Sequence, residues 1–220
     1  MIICLGHEKG GTGKSSLATS FAAKIASMGN SVMVLDTDST ATSVGWYAIR
    51  EHNKTEPVIP VVQQLVEPAR STVSFASKYD AVVVDIGARD YEKLGDMARI
   101  CDLWVAPITV GQGDLTSTIR FYEALTQYQH LHKKKRIPLV AAINRVTSAW
   151  NSSEVADATE FLREQCPGLI VLTTTLKERR AWRDAGRQGL GISEMPPRDA
   201  QKAIEEFDAL FVEALGHQSK

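Results

Sequence analysis

The sequence predicts a single α/β domain, residues 1–220, built on a mostly parallel β-sheet with helices on both faces. Short runs of valine, isoleucine and leucine alternate with longer segments that have helical spacing. Continuous apolar runs are typical of strands that are covered on both faces, as in a parallel sheet. Their alternation with helices favours right-handed crossover connections, and 220 residues fit one domain.

The individual elements follow from these two patterns. Apolar runs predict six strands, at residues 1–6, 32–35, 81–84, 103–106, 139–143 and 169–172. Helical spacing predicts helices at residues 15–28, 114–130, 154–163 and 197–215. The first helix stops at Gly29 and Asn30, a common C-terminal signal. Residues 51–62, which contain Pro57 and Pro60, give no clear prediction.

Composition limits what the protein can bind and which cellular compartment it fits. The formal net charge is -1, so any contact with DNA has to come from a local basic patch. Cys4, Cys101 and Cys166 are far apart and odd in number, which disfavours a disulfide framework or a zinc site and fits a reducing cytosol. No apolar run reaches the roughly 18 residues of a membrane span. We therefore expect a cytoplasmic protein.

The strongest functional signal is a glycine-rich segment between the first predicted strand and the first predicted helix. Glycines allow backbone N–H groups to approach phosphate closely, and the helix adds the positive end of its dipole. A lysine at its end would reach the β- and γ-phosphates, and the following serine hydroxyl would ligate Mg²⁺. The segment, which predicts a Mg-ATP site rather than a simple turn, consists of Lys9, Gly10, Gly11, Thr12, Gly13, Lys14 and Ser15, with Ser16 next in the helix.

Carboxylates follow the second and third predicted strands. Asp36 and Asp38 follow the second, and Asp85 ends the third. The carboxyl ends of parallel strands are where α/β sheets bind ligands. One residue of the first pair could orient water and the other could support Mg²⁺ or the loop, while Asp85 would hold Mg²⁺ through water. The alternative for the pair is capping of a helix over residues 41–50 by Asp38 or Ser39.

A dinucleotide site is a second interpretation of the same region. Gly11 and Gly13 open a helix, and Asp36 ends the next strand, where a ribose-binding acid would lie. Ser16, however, occupies the position of the third glycine in that motif, and the lysine–serine pair has no role in it. The phosphate-loop interpretation is therefore favoured.

The loop departs from the usual phosphate-loop pattern at its start. Glu8 stands where the first glycine is expected, and Lys9 is an additional lysine. This form resembles the deviant Walker A box of the ParA/MinD class of ATPases. The resemblance implies that Lys9 reaches across a dimer interface to the partner's ATP, whereas the lysine alone would be a solvated loop residue. It also implies that Asp38 aligns the attacking water and Asp36 lies in the outer shell of the metal, so the catalytic set is Lys9, Lys14 and Asp38.

The resemblance extends beyond the loop. Asn144 matches the position that hydrogen-bonds adenine in the family, although asparagine is also common in turns at strand ends. Met195 and Pro196 fall where the family packs backbone against the base. Residues 86–90 depart from the second switch of the family, so Arg89 and Asp90 could contact nucleotide, the partner subunit or only each other.

Two basic segments are candidates for a surface that contacts DNA. Residues 132–136 form a short run that is more often a solvated loop than a DNA site. Arg179, Arg183 and Arg187 are spaced to share one helical face, with Arg180 beside them. Such a stripe can contact phosphates without recognising sequence, and the segment resembles a region of plasmid-partition ATPases. The alternative is a surface helix whose arginines pair internally with Glu178 and Asp184.

The resemblance implies a small DNA-segregation ATPase of the ParA type without an N-terminal DNA-binding domain. Its cofactors would be ATP and Mg²⁺, and its hydrolysis slow and stimulated by a ParB-like or centromere-binding partner. ATP would close a homodimer that binds DNA nonspecifically, which implies association with a bacterial nucleoid.

Three alternatives stay open. A MinD-like membrane-cycling ATPase needs a basic amphipathic C-terminal helix, but residues 205–220 are acidic until the last residue, so a membrane partner is not expected. A reductase that holds an iron–sulfur cluster needs interface cysteines, for which only Cys101 is a candidate. An ATP-switch protein in conjugation or secretion is the third alternative.

Overall fold

The computed structural model describes residues 1–87, 91–131, 137–147 and 152–217. The strands in these ranges are β1 Ile2–Leu5, β2 Val32–Asp36, β3 Val61–Gln63, β4 Ala81–Asp85, β5 Leu103–Ile108, β6 Leu139–Ile143 and β7 Leu169–Val171. They form one sheet in the order β3-β2-β4-β1-β5-β6-β7, and every neighbouring pair is parallel. The predicted fold class is confirmed.

Helices cover both faces of this sheet. They are α1 Lys14–Ser27, α2 Thr42–His52, α3 Pro68–Ala76, α4 Tyr91–Ala98, α5 Gln112–Leu131, α6 Ser152–Gln165, α7 Arg180–Arg187 and α8 Pro197–Gly216, with a short 3₁₀ turn at Ile192–Glu194. None of the helices in the described ranges combines the length and the hydrophobicity of a membrane-spanning segment.

The core consists of two apolar clusters, one on each side of the sheet. Alternate side chains of β1 enter different clusters, because successive residues of a strand point to opposite faces. Ile3 and Leu5 pack with α1 and α8, whereas Ile2 and Cys4 pack with α4, α5 and α6. Each strand residue of β1 is buried, which explains the continuous apolar run in its sequence.

The structure adds β3 to the six predicted strands, inside the stretch that gave no clear prediction. This strand has only three residues, lies at the sheet edge and is partly exposed. Pro60 precedes it directly. A run so short, without full burial or a clear alternation, carries too weak a pattern to be recognised from sequence.

Topology brings the predicted site residues to one edge of the sheet. The glycine-rich loop follows β1, which lies between β4 and β5 in the middle of the sheet. Asp36 ends β2 and Asp85 ends β4, and the parallel register places these two residues opposite each other. The loop and the carboxylates therefore meet at the carboxyl ends of neighbouring strands.

Candidate functional site

Two glycines of the loop adopt a conformation that other residues rarely adopt. Gly11 has φ 78° and Gly13 has φ 98°, which lie in the left-handed region. A Cβ atom on Gly13 would also lie 2.4 Å from the side-chain nitrogen of Asn144. A Cβ atom on Gly10 or Gly11 would meet nothing within 4 Å, so open space lies beside the backbone where a phosphate group would have to approach.

Lys14 is the first residue of α1 and is 7% exposed. Its ammonium donates a hydrogen bond of 2.9 Å to the carbonyl oxygen of Lys9. Burial lowers the pKa of Lys14, and the nearby carboxylates of Asp85 and Asp38 act in the opposite direction. The lysine is thus held inside the loop with its charge close to two of the predicted site carboxylates.

Asp85 is buried at the end of β4 and is linked to two hydroxyl groups. The Ser43 hydroxyl donates a hydrogen bond of 2.7 Å to its Oδ2 atom. Burial raises the pKa of Asp85 to about 6, while hydrogen bonds from Ser43 and Ser15 act against this rise. A carboxylate that is desolvated beside the Ser15 hydroxyl fits a site for a hard cation, which prefers oxygen ligands.

Asp36 is fully buried and binds backbone rather than standing free. Its Oδ2 atom accepts hydrogen bonds from the backbone N–H groups of Ser43, at 2.9 Å, and Val44, at 3.3 Å. Its Oδ1 atom accepts one from the N–H of Asp38 at 3.0 Å. Asp36 therefore stabilises the first turn of α2, a role expected for Asp38 or Ser39 if either residue capped the helix. Binding of Mg²⁺ by Asp36 would have to share or replace these bonds.

Asp38 has a freer side chain. Its Oδ1 atom accepts a hydrogen bond of 2.9 Å from the N–H of Thr40. Its backbone packs against Gly87, where an added Cβ would lie 3.1 Å from the Asp38 Cα atom. Of the two carboxylates that follow β2, Asp38 is therefore the one whose side chain is available to a water molecule. The structure describes Ile86 and Gly87, whereas Arg89 and Asp90 lie outside the described residues.

The back of the loop is held by two residues that follow β6. Asn144 donates a hydrogen bond of 2.7 Å from its side-chain nitrogen to the carbonyl of Thr12, and its Oδ1 atom accepts one from the N–H of Arg145. Arg145 donates to the carbonyl of Gly11 at 2.7 Å and to Glu178 at 2.9 Å. It does so with φ 59°, a backbone conformation that is unfavourable by about 1 kcal/mol for a non-glycine residue.

A pocket of about 280 Å³ opens beside this part of the loop, and we call it the base-side pocket. Gly13, Ser16 and Asn144 line it on one side, and residues 177–179 together with 182–183 line it on the other. Asn144 thus lies next to the loop, and its hydrogen bond to adenine stays a prediction.

The contact of Met195 and Pro196 with the base stays a prediction. Neither residue lines the base-side pocket. Met195 is buried in the apolar cluster of α1 and α8, and its sulfur accepts a hydrogen bond from Gln188. The segment before α7 lines this pocket instead, because the chain returns toward the end of β6 through the bridge between Val146 and Lys177.

The additional lysine of the loop is paired within its own chain. Lys9 forms a salt bridge with Asp114, at the start of α5, and its side chain is 45% exposed. The neighbouring Glu8 forms a salt bridge with Arg120 of the same helix. The loop is therefore anchored to α5 by two ion pairs, in each of which the basic side chain is exposed and the carboxylate is largely buried.

His7 lies just before the glycine-rich loop. It is buried, and its Nε2 atom shares a hydrogen bond of 3.1 Å with the hydroxyl of Thr118. Its Nδ1 atom accepts a hydrogen bond from the N–H of Lys9. Burial, together with the smaller effect of the charges of Lys14 and Lys9, lowers the pKa of His7 to about 4. The histidine is neutral in the folded protein and supports the loop.

This burial predicts a pH dependence of stability. Between the ordinary pKa of 6.5 and the folded pKa of about 4, the unfolded chain binds more protons at this position than the folded chain. The stabilisation is complete above pH 6.5 and is lost as the pH falls toward 4. From about pH 7 to about pH 5, we expect His7 to account for a loss of about 2 kcal/mol in the free energy of unfolding.

Urea denaturation at both pH values would measure this loss. The variant His7→Gln, which is uncharged at both, should show a correspondingly smaller loss, while His52→Gln at an exposed position should behave as the unmodified chain does. An equal pH dependence in His7→Gln and the unmodified protein would contradict the assignment.

The arginine stripe is only partly as predicted. Arg179 precedes α7 with extended backbone angles, so it does not share the helical face. Its guanidinium instead forms two hydrogen bonds with Glu206 of α8. Arg180, Arg183 and Arg187 lie on α7 with side chains that are 83%, 61% and 76% exposed.

The internal pairs expected as the alternative are also present. Arg180 pairs with Asp184 at 3.0 Å and Arg187 with the same residue at 3.9 Å, while Arg183 lies 3.7 Å from Glu178. Pairs this exposed contribute about 0 to 1 kcal/mol each. The second basic run, residues 132–136, lies outside the described residues.

Two residues at the site were missed by the sequence reasoning. Ser43 joins Asp36 to Asp85 through its N–H and its hydroxyl, and its only sequence signal is its place in the first turn of a helix. Arg145, which follows β6, binds the carbonyl of Gly11 in the loop. No local pattern marks that contact, because the two residues are 134 positions apart.

The site can hold a nucleotide and a cation with few protein ligands. In the described ranges no group of three or more histidine, cysteine, aspartate or glutamate residues could enclose a metal ion. Ser15 and Asp85 fit Mg²⁺ that is coordinated mainly by phosphate and water, as in other phosphate-loop proteins. Fold and loop together define a nucleotide-binding protein of the P-loop class.

The family model described as the CobQ/CobB/MinD/ParA nucleotide binding domain matches residues 3–192. The chain belongs to this family. No curated protein sequence matches it.

Several solved structures share the fold. McdA from Cyanothece in complex with ATP has a TM-score of 0.73 and 16% identity, covering 100% of this chain and 97% of that one. A Borrelia burgdorferi protein described as a plasmid partition protein, bound to AMPPNP, has a TM-score of 0.66 and 16% identity, covering 96% and 98%. MinD from Pyrococcus horikoshii with Mg-ADP has a TM-score of 0.69 and 15% identity, covering 98% and 97%.

Proposed function

We propose that the chain is a ParA-type ATPase that closes into a homodimer when it binds Mg-ATP. Lys14 binds the β- and γ-phosphates from inside the loop, and the backbone of Gly10 to Gly13 surrounds them. Ser15 and Asp85 hold Mg²⁺, which neutralises phosphate charge when it is bound. Family membership and the nucleotides bound to the similar structures support this proposal.

Hydrolysis would depend on positioning and charge. Asp38 orients the attacking water, because its side chain is held only by the Thr40 N–H in the contacts described above, while both oxygens of Asp36 are bonded to backbone. Lys14 counters the charge that develops on the transferred phosphate. Slow turnover that a partner protein accelerates fits a site in which one catalytic group, Lys9, comes from the second subunit.

The position of Lys9 is the observation that supports ATP-dependent dimerisation. Lys14 already fills the interior of the loop, whereas the Lys9 side chain is half-exposed and bound to Asp114 by an ion pair. Asp114 is buried, but it also accepts a hydrogen bond from the Thr109 hydroxyl, so it keeps a partner when Lys9 leaves. A phosphate of the partner's nucleotide would be a stronger acceptor for the lysine, because hydrogen bonds between charged groups are the strong ones.

Sedimentation velocity with ATP tests this role of Lys9. The unmodified chain is expected to sediment as a dimer with ATP and as a monomer without it. Lys9→Ala should remain monomeric in both conditions while still binding ATP. Lys24→Ala, on the surface of α1, is the matched control and should dimerise. Normal ATP-dependent dimers of Lys9→Ala would contradict the proposal.

We further propose that the dimer binds DNA nonspecifically and takes part in plasmid or DNA partition with a ParB-like or centromere-binding partner. The exposed guanidinium groups of Arg180, Arg183 and Arg187 support this part, since phosphates could replace their weak internal pairs. For ATP to control the binding of DNA and of the partner, both would have to bind the ATP form with a different affinity from the ATP-free form.

Gel retardation of a DNA duplex at several salt concentrations tests the arginines. Arg180→Glu with Arg183→Glu should weaken ATP-dependent retardation, and the dependence of log affinity on log salt should fall by about one for each lost phosphate contact. Arg70→Glu is the control, because Arg70 is equally exposed but lies on α3, against the other face of the sheet. Unchanged retardation would favour the internally paired alternative.

A further inference from the structure

A second cleft lies between α1, α2 and α7, and we call it the α2–α7 cleft. Its volume is about 420 Å³, within the range of roughly 300 to 1,000 Å³ that ligand sites occupy. It shares only Ser16, Trp182 and Arg183 with the base-side pocket. Of the remaining lining residues, only Ser15 has a proposed role in the nucleotide site, as a ligand of Mg²⁺.

The walls of the cleft are largely apolar and aromatic. Trp46 and Ile49 contribute from α2, Trp182 from α7, and Leu190 from the segment that follows. The Trp46 indole is held in place by a hydrogen bond of 3.1 Å to the carbonyl of Leu190. Rigid tryptophans beside arginines are typical of the residues that contribute most to protein–protein binding.

Two glycines keep the cleft open close to the helix backbones. Gly45 lies within α2 and Gly186 within α7, where glycine destabilises a helix relative to alanine. A Cβ atom on either would meet nothing within 4 Å, whereas one on Gly189 would lie 2.4 Å from the backbone nitrogen of Arg50. Packing inside the chain thus accounts for Gly189 but not for Gly45 or Gly186, which leave room for an occupant.

The charge at the cleft is positive. Arg183 and Arg187 line it, and the described lining residues include no aspartate or glutamate. The Arg183 guanidinium lies 3.7 Å from the Glu178 carboxylate, and that of Arg187 lies 3.9 Å from the Asp184 carboxylate. Long pairs between exposed side chains are easily exchanged. Charge complementarity therefore favours an occupant that carries carboxylates.

The cleft touches the helix that supports the site carboxylates. Thr42 and Gly45 line it from the first turns of α2. Between them, Ser43 donates its N–H to Asp36 and its hydroxyl to Asp85. An occupant that shifted or fixed this turn would act on both carboxylates without entering the nucleotide site.

We propose that the α2–α7 cleft is the docking site for an acidic, amphipathic segment of a partner protein. The segment places an apolar side chain against Trp46 and Trp182 and pairs its carboxylates with Arg183 and Arg187. Docking of the segment does not depend on the proposed ATPase function. An effect of docking on ATP hydrolysis does rest on that function. Because the same two arginines are candidates for DNA contact, the segment and DNA compete.

Fluorescence anisotropy with a labelled synthetic peptide of leucine, phenylalanine and glutamate tests the docking site. We expect this peptide to bind the ATP-free chain, and the same peptide with lysine in place of glutamate not to bind. Gly45→Leu and Gly186→Leu should each weaken binding at least about tenfold by filling the cleft. Both variants should melt no lower than the unmodified chain, because leucine is the better helix former.

Gly216→Leu, at the exposed end of α8, is the matched control and should bind the acidic peptide normally. Equal binding to the unmodified chain and both cleft variants, or no binding to the unmodified chain, would overturn the proposal. Loss of DNA retardation in the cleft variants without any peptide binding would also overturn it and assign the cleft to nucleic acid. Since the peptide is measured without ATP, failure of the Lys9 test would affect the proposed function and leave this result standing.

Discussion

Replacing Lys14 with alanine is expected to lower the affinity for ATP by about a hundredfold, the effect of losing charged hydrogen bonds to phosphate. Lys14 is the buried lysine of the loop, and its ammonium lies near Asp85 and Asp38. Its removal leaves these carboxylates without their countercharge, so the site would be negatively charged and would repel phosphate. Isothermal titration calorimetry with Mg-ATP measures the change directly.

The fold should survive this substitution, because alanine is a good helix former and the buried charge itself carries a desolvation cost. Lys24→Ala is the matched control on the same helix, since its side chain pairs with Asp208 at a distance from the loop. An unchanged ATP affinity in Lys14→Ala would remove the basis of the proposed nucleotide site.

Replacing Asp38 with asparagine should leave ATP binding within a few-fold of normal and lower turnover by at least about a hundredfold, as expected for loss of a base that positions water. Asparagine can still accept the hydrogen bond from the Thr40 N–H, so the loop geometry is kept. The missing charge is then the main change at the site. Phosphate release in steady state and ATP titration separate turnover from binding.

Asp38→Ala provides the comparison, because it also removes the bond to Thr40. Both variants should lose turnover if the carboxylate charge matters, whereas only the alanine variant should lose it if Asp38 merely shapes the loop. Normal turnover in Asp38→Asn would therefore show that another group orients the water.

The contrast between Asp36 and Asp38 shows how far sequence reasoning reached. Both residues follow a buried strand, and their position at the edge of a parallel sheet was predicted correctly. The hydrogen bonds that engage Asp36 were not predictable, because they depend on the path of the chain after β2. The turn into α2 brings the N–H groups of Ser43 and Val44 back to Asp36 and leaves the side chain of Asp38 available.

The arginines at residues 179–187 show the same limit of sequence-based prediction for the surface expected to contact DNA. Their spacing correctly indicated a helical face, since three of the four lie on α7. Arg179 fell outside this face because the helix starts one residue later and Glu206 of α8 holds its guanidinium. Helix boundaries are the least certain part of such a prediction, and the partner on α8 is far away in sequence.

The sequence by itself determined the parallel α/β fold and the glycine-rich loop that opens α1. Both depend on neighbours along the chain: burial of continuous apolar runs, and backbone freedom of glycine directly before a helix. The tertiary structure alone decided which groups surround that loop. His7 against Thr118, Arg145 on the Gly11 carbonyl and Ser43 on Asp85 are contacts between distant segments. Such contacts arise only when the strands pair and the helices pack, so no local pattern could reveal them.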